Sequence, residues 1–225
     1  VIVDRLKRIV RGRPPRYRDT TPAHAERFDQ VYRTRTWATG DSASGEGSER
    51  DSPCVHQSVQ VLTEVCSRFD VRSIADVPCG DFNWFDLFLN DHPTIDYIGY
   101  DVVEAIVAAN RVRHPDRRFE TLDITRSPPE PTDLIFCKDL VNHLFERDVW
   151  AVLENLAASG SRLLLITSNA ECPNAELILT EPGASRLLDL TAAPYSLPEP
   201  IWADHYLSLW ALDDVARRLA ERTGA

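Results

Sequence analysis

His143 lies four residues after Asp139, in the stretch Lys138-Asp139-Leu140-Val141-Asn142-His143-Leu144. On a helical turn such a pair shares one face. A histidine near its ordinary pKa can take a proton at neutral pH, and a nearby carboxylate can orient it. General-base activation of a hydroxyl is the chemistry this pair could do. The other reading is a core histidine bonded to a loop carbonyl. Asp139 and Asn169 are also hard oxygen donors of the kind Mg²⁺ prefers, and a metal activates a bound hydroxyl by lowering its pKa. A third ligand would then come from Asp81, Glu171 or Asp204. Otherwise Asp139 orients His143 and Asn169 caps a strand.

The second chemical stretch is Ser73–Trp84, reading SIADVPCGDFNW. A short apolar run ends in Pro78-Cys79-Gly80-Asp81, so a strand runs into a tight turn and then a helix. Backbone N–H groups and a carboxylate can approach a ligand at such a turn. Only Gly80 is present where a dinucleotide fingerprint needs three glycines. Asp76 and Asp81 make the turn acidic, which suits a cationic ligand and repels a pyrophosphate. Asp101 follows Gly80 by about 20 residues, where a carboxylate can accept from both ribose hydroxyls. It could also cap the helix that follows, but together with the Gly80 turn the ribose reading is favoured. Asp123, in Asp123-Ile124-Thr125, is either a ligand contact or a turn former.

These residues need a parallel sheet to gather them. Strands are predicted at Ser73–Val77, Ile95–Tyr100, Arg118–Leu122, Asp133–Cys137 and Arg162–Thr167, with another near Arg186–Leu190 and a late one at Tyr206–Leu212. Helices are predicted from Thr21-Pro22 towards Trp37, from Ser52-Pro53 through Phe69, from near Trp84, and over Val103–Arg113, Glu146–Ala158 and Asp213–Arg222. In an open parallel sheet, sites lie at the carboxyl ends of the strands. That rule gathers Gly80, Asp81, Asp101, Asp123, Lys138, Asp139 and Asn169 along one edge. Residues 38–52 are Gly- and Ser-rich and read as a flexible loop. Residues 170–204 are Pro-rich and read as an irregular cover.

The chain has 225 residues, 43% of them apolar and 27% charged, which suits one soluble α/β domain. The basic start is not followed by an apolar segment, and no apolar run approaches the ~18 residues of a membrane span. A cytoplasmic protein without membrane contact is therefore expected. Net charge is −10, although the first 18 residues are strongly basic. The acidic remainder argues against a nucleic-acid binder. The five cysteines include no C-x-x-C pair and read as reduced thiols.

Asp76-x-x-Cys79-Gly80 resembles motif I of the class I S-adenosylmethionine (SAM) methyltransferases. The longer DVPCGDFNW, the Trp37 loop with Ser42-Ala43-Ser44-Gly45-Glu46-Gly47-Ser48, and Asp139-Leu140-Val141-Asn142-His143-Leu144 resemble a narrower bacterial subgroup. That subgroup includes mycobacterial methyltransferases of polymethylated polysaccharides. The resemblance spans about residues 28–212. It implies a Rossmann-like seven-stranded α/β fold with an N-terminal helical lid and strands six and seven as an antiparallel edge. It implies a basic tail at 1–21, then one domain at 22–225. Within that domain, 22–70 is a lid, 71–170 the cofactor core and 171–225 a substrate cover with the sheet edge.

The same resemblance implies SAM held by Trp37, Ser44 and Gly45, by Asp76, Pro78, Gly80, Asp81 and Trp84, and by Asp101, Asp123, Ile124 and Lys138. His143 and Asp139 would be catalytic, with Mg²⁺ at Asp139 and Asn169. The acceptor implied is a sugar hydroxyl, such as the 1-hydroxyl of a methylated mannose oligosaccharide. Tyr195, Trp202 and His205 would contact it, since aromatic rings beside polar groups suit a sugar. The other reading of those rings is core packing. A homodimer is one assembly open to such a chain. Three rivals remain: a methyltransferase of another small molecule, a nicotinamide oxidoreductase, whose glycine-rich turn is missing, and a non-catalytic scaffold.

Overall fold

A computed structural model describes residues 23–204 and 206–224. The basic tail, the Thr21-Pro22 helix start and His205 lie outside the described residues. Helix α1 (His24–Thr34) buries Arg27, Phe28 and Val31 and ends at Arg35 in a left-handed conformation, which turns the chain towards Trp37. Helix α2 (Pro53–Arg68) starts where proline at its first turn and a serine before it favour a helix. The Ser52 hydroxyl accepts from Val55 N–H at 3.2 Å.

The strands are β1 (Ser73–Asp76), β2 (Asp96–Asp101), β3 (Arg118–Thr121), β4 (Leu134–Cys137), β5 (Leu163–Thr167), β6 (Trp202–Ala203) and β7 (Leu207–Ala211). They form one seven-stranded sheet in the order β3-β2-β1-β4-β5-β7-β6. β1 to β5 are parallel, β7 runs antiparallel to β5, and β6 antiparallel to β7. Asp76 lies in register beside Gly99 and Phe136, so the carboxyl ends of β1, β2 and β4 share one edge.

The central strands are apolar on both faces, as a parallel sheet covered on both sides requires. Ile74, Leu134, Phe136 and Leu165 point to one layer, with α2, α3 (Phe85–Asp91) and Val107 of α4 (Glu104–Arg113). Ala75, Ile135, Cys137 and Leu164 point to the other, with α5 (Glu146–Ala158) and α6 (Leu212–Thr223). The five cysteines are free. Among the described residues, no helix is long and apolar enough to cross a membrane.

Two local expectations are corrected. Residues 186–190 form no strand, because their N–H groups bond to loops and side chains rather than to a ladder. Arg186 N–H donates to the Asn142 carbonyl at 3.0 Å, and Leu190 N–H to the Ser168 hydroxyl at 3.0 Å. The buried Leu188 and Leu190 supplied the alternation that imitated a strand. Asp139 and His143 do not share an α-helical turn. Asp139 is left-handed at φ 55°, and a 3₁₀ turn covers Val141–His143. The Gly/Ser loop contains a Thr39–Ser42 bridge and a 3₁₀ turn at Glu46–Ser48.

Candidate active site

The turn after β1 is the floor of a cleft at the carboxyl edge of the sheet. Gly80 has φ +52°, and a Cβ there would lie 2.5 Å from the Ser44 hydroxyl. Only glycine therefore admits both this turn and the loop lying on it. Asp101 at the end of β2 accepts from Gly80 N–H at 3.2 Å with Oδ2 and from Val103 N–H at 2.9 Å with Oδ1. It ties the turn to the start of α4, and each oxygen keeps a lone pair for a further donor. Burial pushes its carboxyl up to about 6, against the pull of those backbone N–H groups. Asp76 is more deeply desolvated and is raised well above the usual range, although the Tyr97 hydroxyl donates to it at 2.9 Å.

Asp81 holds the loop. Its carboxylate accepts from Ala43 N–H at 2.6 Å and from the hydroxyls of Ser42 and Ser44 at 3.1 and 2.9 Å. Tyr32 of α1 meets the same Ser44 hydroxyl at 3.1 Å. The loop thus covers the first turn, and Asn83 donates to the Ser48 carbonyl further along it at 3.0 Å. Asp123 makes a turn, accepting from Thr125 N–H and hydroxyl at 3.1 and 2.6 Å, while still lining the cleft.

Beyond β4, Lys138 is buried and pairs with Asp139 at 2.6 Å, and its ammonium also reaches the Gly47 carbonyl at 2.9 Å. The Tyr206 hydroxyl donates to the second Asp139 oxygen at 2.5 Å. Burial would raise the Asp139 carboxyl, but the Lys138 charge and these hydrogen bonds hold it below the ordinary carboxylate range. His143 faces the Ala184 carbonyl through Nδ1 at 3.0 Å. A carbonyl only accepts, so Nδ1 carries the hydrogen and the lone pair sits on Nε2. Burial lowers the His143 pKa, opposed by the Ala184 bond and the Asp139 charge. The imidazole is therefore neutral at pH 7 and ready to accept a proton.

Trp37, Ser44, Asp76, Pro78, Gly80, Asp81, Trp84, Asp101, Asp123, Ile124, Lys138, Asp139 and His143 all line this one cleft. Sequence reasoning gave no role to the α1 residues His24, Phe28 and Tyr32, which line it too. The α1 apolar face was their only signal. Gly45 lies within the loop, where its Cβ would stand 3.6 Å from Trp37, and it is not in the wall.

Other expected residues are not brought in. Asn169 N–H donates to the Leu188 carbonyl at 2.6 Å, and the residue does not line the cleft. Tyr195 is buried against Trp150 with ring centroids 5.2 Å apart, which is core packing. Trp202 donates to Glu64 at 3.0 Å across α2. Among the described residues, no three His, Cys, Asp or Glu side chains are placed to hold a metal ion. Both Asp139 oxygens are already taken, one by an ammonium that would repel a cation. These donors do not fit the expected Mg²⁺.

No protein-family model matches the chain. It is similar to a trans-aconitate 2-methyltransferase of Variovorax paradoxus (strain S110), with 30% identity over 113 residues, covering 48% of this chain and 44% of the relative. The match thus spans less than half of that curated relative. Among solved structures, the PH0226 protein from Pyrococcus horikoshii OT3 is similar with a TM-score of 0.52 and 14% identity, over 73% of this chain and 94% of that one. Magnesium protoporphyrin IX methyltransferase from Synechocystis PCC 6803 is similar with a TM-score of 0.46 and 16% identity, over 65% and 67% of the two chains. The chain has the Rossmann-like, seven-stranded fold of the class I SAM-dependent methyltransferases.

Proposed function

We propose that this chain is a SAM-dependent O-methyltransferase of a small hydroxylic acceptor, with a saccharide as the acceptor class. The observation that carries the reading is one cleft joining the acidic Gly80 turn to a neutral imidazole whose lone pair is on Nε2. The donor set fits SAM. Lone pairs remain on Asp101, and carboxylates line the wall where a cation would sit. SAM, when bound, supplies a methyl group on a positively charged sulfur. The chain's own part is to hold the acceptor hydroxyl and take its proton at His143 Nε2, so that the oxygen becomes nucleophilic. Asp139 stabilises the imidazolium by charge, since its oxygens are occupied. No step passes through a metal.

A second reading is favoured by the similarity to a trans-aconitate 2-methyltransferase. A carboxylate acceptor is already ionised and needs no base. Calorimetry with SAM and with NAD⁺, then a radiolabelled-methyl screen of mannosides and small carboxylic acids, separates the readings. The hydroxyl reading expects SAM binding without NAD⁺ binding, methylation of a mannoside, and a fall in kcat of about 100-fold or more in His143→Asn. EDTA should leave the rate unchanged, and loss of activity restored by Mg²⁺ would overturn the metal-free route. A carboxylate product unaffected by His143→Asn would make the second reading correct. No SAM binding by the folded protein would leave a scaffold. A cytoplasmic location, a homodimer and the absence of nucleic-acid partners belong to the same proposal, with ultracentrifugation testing the dimer.

A further inference from the structure

The segment Gly183–Arg186 lies along the 3₁₀ turn that carries His143 and touches three consecutive residues of it. Arg186 N–H donates to the Asn142 carbonyl at 3.0 Å. The Ala184 carbonyl accepts from His143 Nδ1 at 3.0 Å. The Arg186 guanidinium donates to the Leu144 carbonyl. One residue earlier, the Gly183 carbonyl accepts from Trp37 Nε1 at 3.0 Å, and the Trp37 ring lies 4.7 Å from the imidazole. A Cβ at Gly183 would stand 2.3 Å from Trp37 Nε1. Trp37 can close on His143 only because residue 183 has no side chain.

We infer that Gly183 and Ala184 are positioning residues for the base: the Ala184 carbonyl fixes His143 with hydrogen on Nδ1, and Gly183 admits Trp37 against the ring. This deepens the function proposed above and rests on it for the role of His143. Two consecutive carbonyls from the cover segment thus set two cleft residues that are far apart in the sequence. Trp37 screens one side of the imidazole from water, which helps to keep it neutral. Nε2 is then the only basic position on the ring.

The test is ¹⁵N NMR of the histidine rings in the full chain, with His143→Asn used to assign the resonance, in wild type, Gly183→Ala and Trp37→Phe. The wild type should show a protonated Nδ1 and an unprotonated Nε2 at pH 7.5. In Gly183→Ala the displaced Trp37 should admit water, so the His143 pKa should rise towards its ordinary value. The acid limb of kcat should follow it upward, with kcat down about 10-fold. Trp37→Phe removes the donor to Gly183 without adding bulk and should move the pKa the same way. It covers the case in which Gly183→Ala does not fold. An Nε2-protonated ring in the wild type would overturn the inference. So would variants with unchanged ring resonances and pKa. The ring measurements need neither SAM nor acceptor. Absence of methyl transfer alongside the expected resonances would therefore sink the functional reading and leave the positioning intact.

Discussion

Asp101 carries a cost to folding, and under the proposed function it would accept from the ribose of SAM. Its carboxyl is pushed up to about 6 by burial, against an ordinary value of 3.8. The folded chain therefore holds a proton that the unfolded chain has released between about pH 4 and pH 6. Stability from this group is greatest below about pH 4 and declines as pH rises to about 6, by about 3 kcal/mol in all. A ligand that donates two ribose hydroxyls favours the ionised carboxylate. Its binding then expels the proton below pH 6, so SAM affinity should fall roughly tenfold per pH unit there. Calorimetry from pH 7.5 to 5.0 tests this, and S-adenosylhomocysteine should show the same slope because it carries the same ribose. A flat profile for both would mean that Asp101 only ties the turn to α4.

At the scale of elements, helix α2 depends on a local signal. Ser52→Ala removes the only side-chain acceptor for Val55 N–H at that terminus, and should cost about 1 kcal/mol in urea unfolding without changing SAM affinity. A change under 0.3 kcal/mol would mean that Pro53 alone sets the helix start. Such local signals explain what the sequence could disclose. The apolar runs at Ile74–Val77 and Leu163–Thr167 mark strands covered on both faces, and α5 has the very bounds its periodicity implies. That Gly80, Asp101 and His143 would meet at one sheet edge was legible, because motif spacing and strand ends place them there. The occupants of Asp139 were not legible, because Lys138 is adjacent but Tyr206 comes from β7's approach, 67 residues away. The acceptor aromatics failed for the same reason. Tyr195 and Trp202 are near in sequence, yet one fills the α5 layer and the other reaches α2.

Two segments far apart in the chain close the cleft together. The loop after α1 is anchored on Asp81 in the turn after β1, and Trp37 at its start is bonded to Gly183, 146 residues later. A load on the first turn therefore has a continuous path to the segment over His143. A cationic ligand near Asp81 would compete with Ser42, Ala43 and Ser44 for the same carboxylate or strengthen the cover by filling the space beneath it. These alternatives differ in hydrogen exchange. If the cover tightens, SAM should slow exchange in 42–48 and also in 181–186, while α6, which lines no part of the cleft, should not change. If the ligand displaces the loop from Asp81, 42–48 should exchange faster and 181–186 should follow through Trp37. Protection confined to 76–84, 101 and 123 would mean that the two covers are independent. The acceptor side would then not sense the cofactor, and Trp37→Phe would change acceptor kinetics without changing SAM binding.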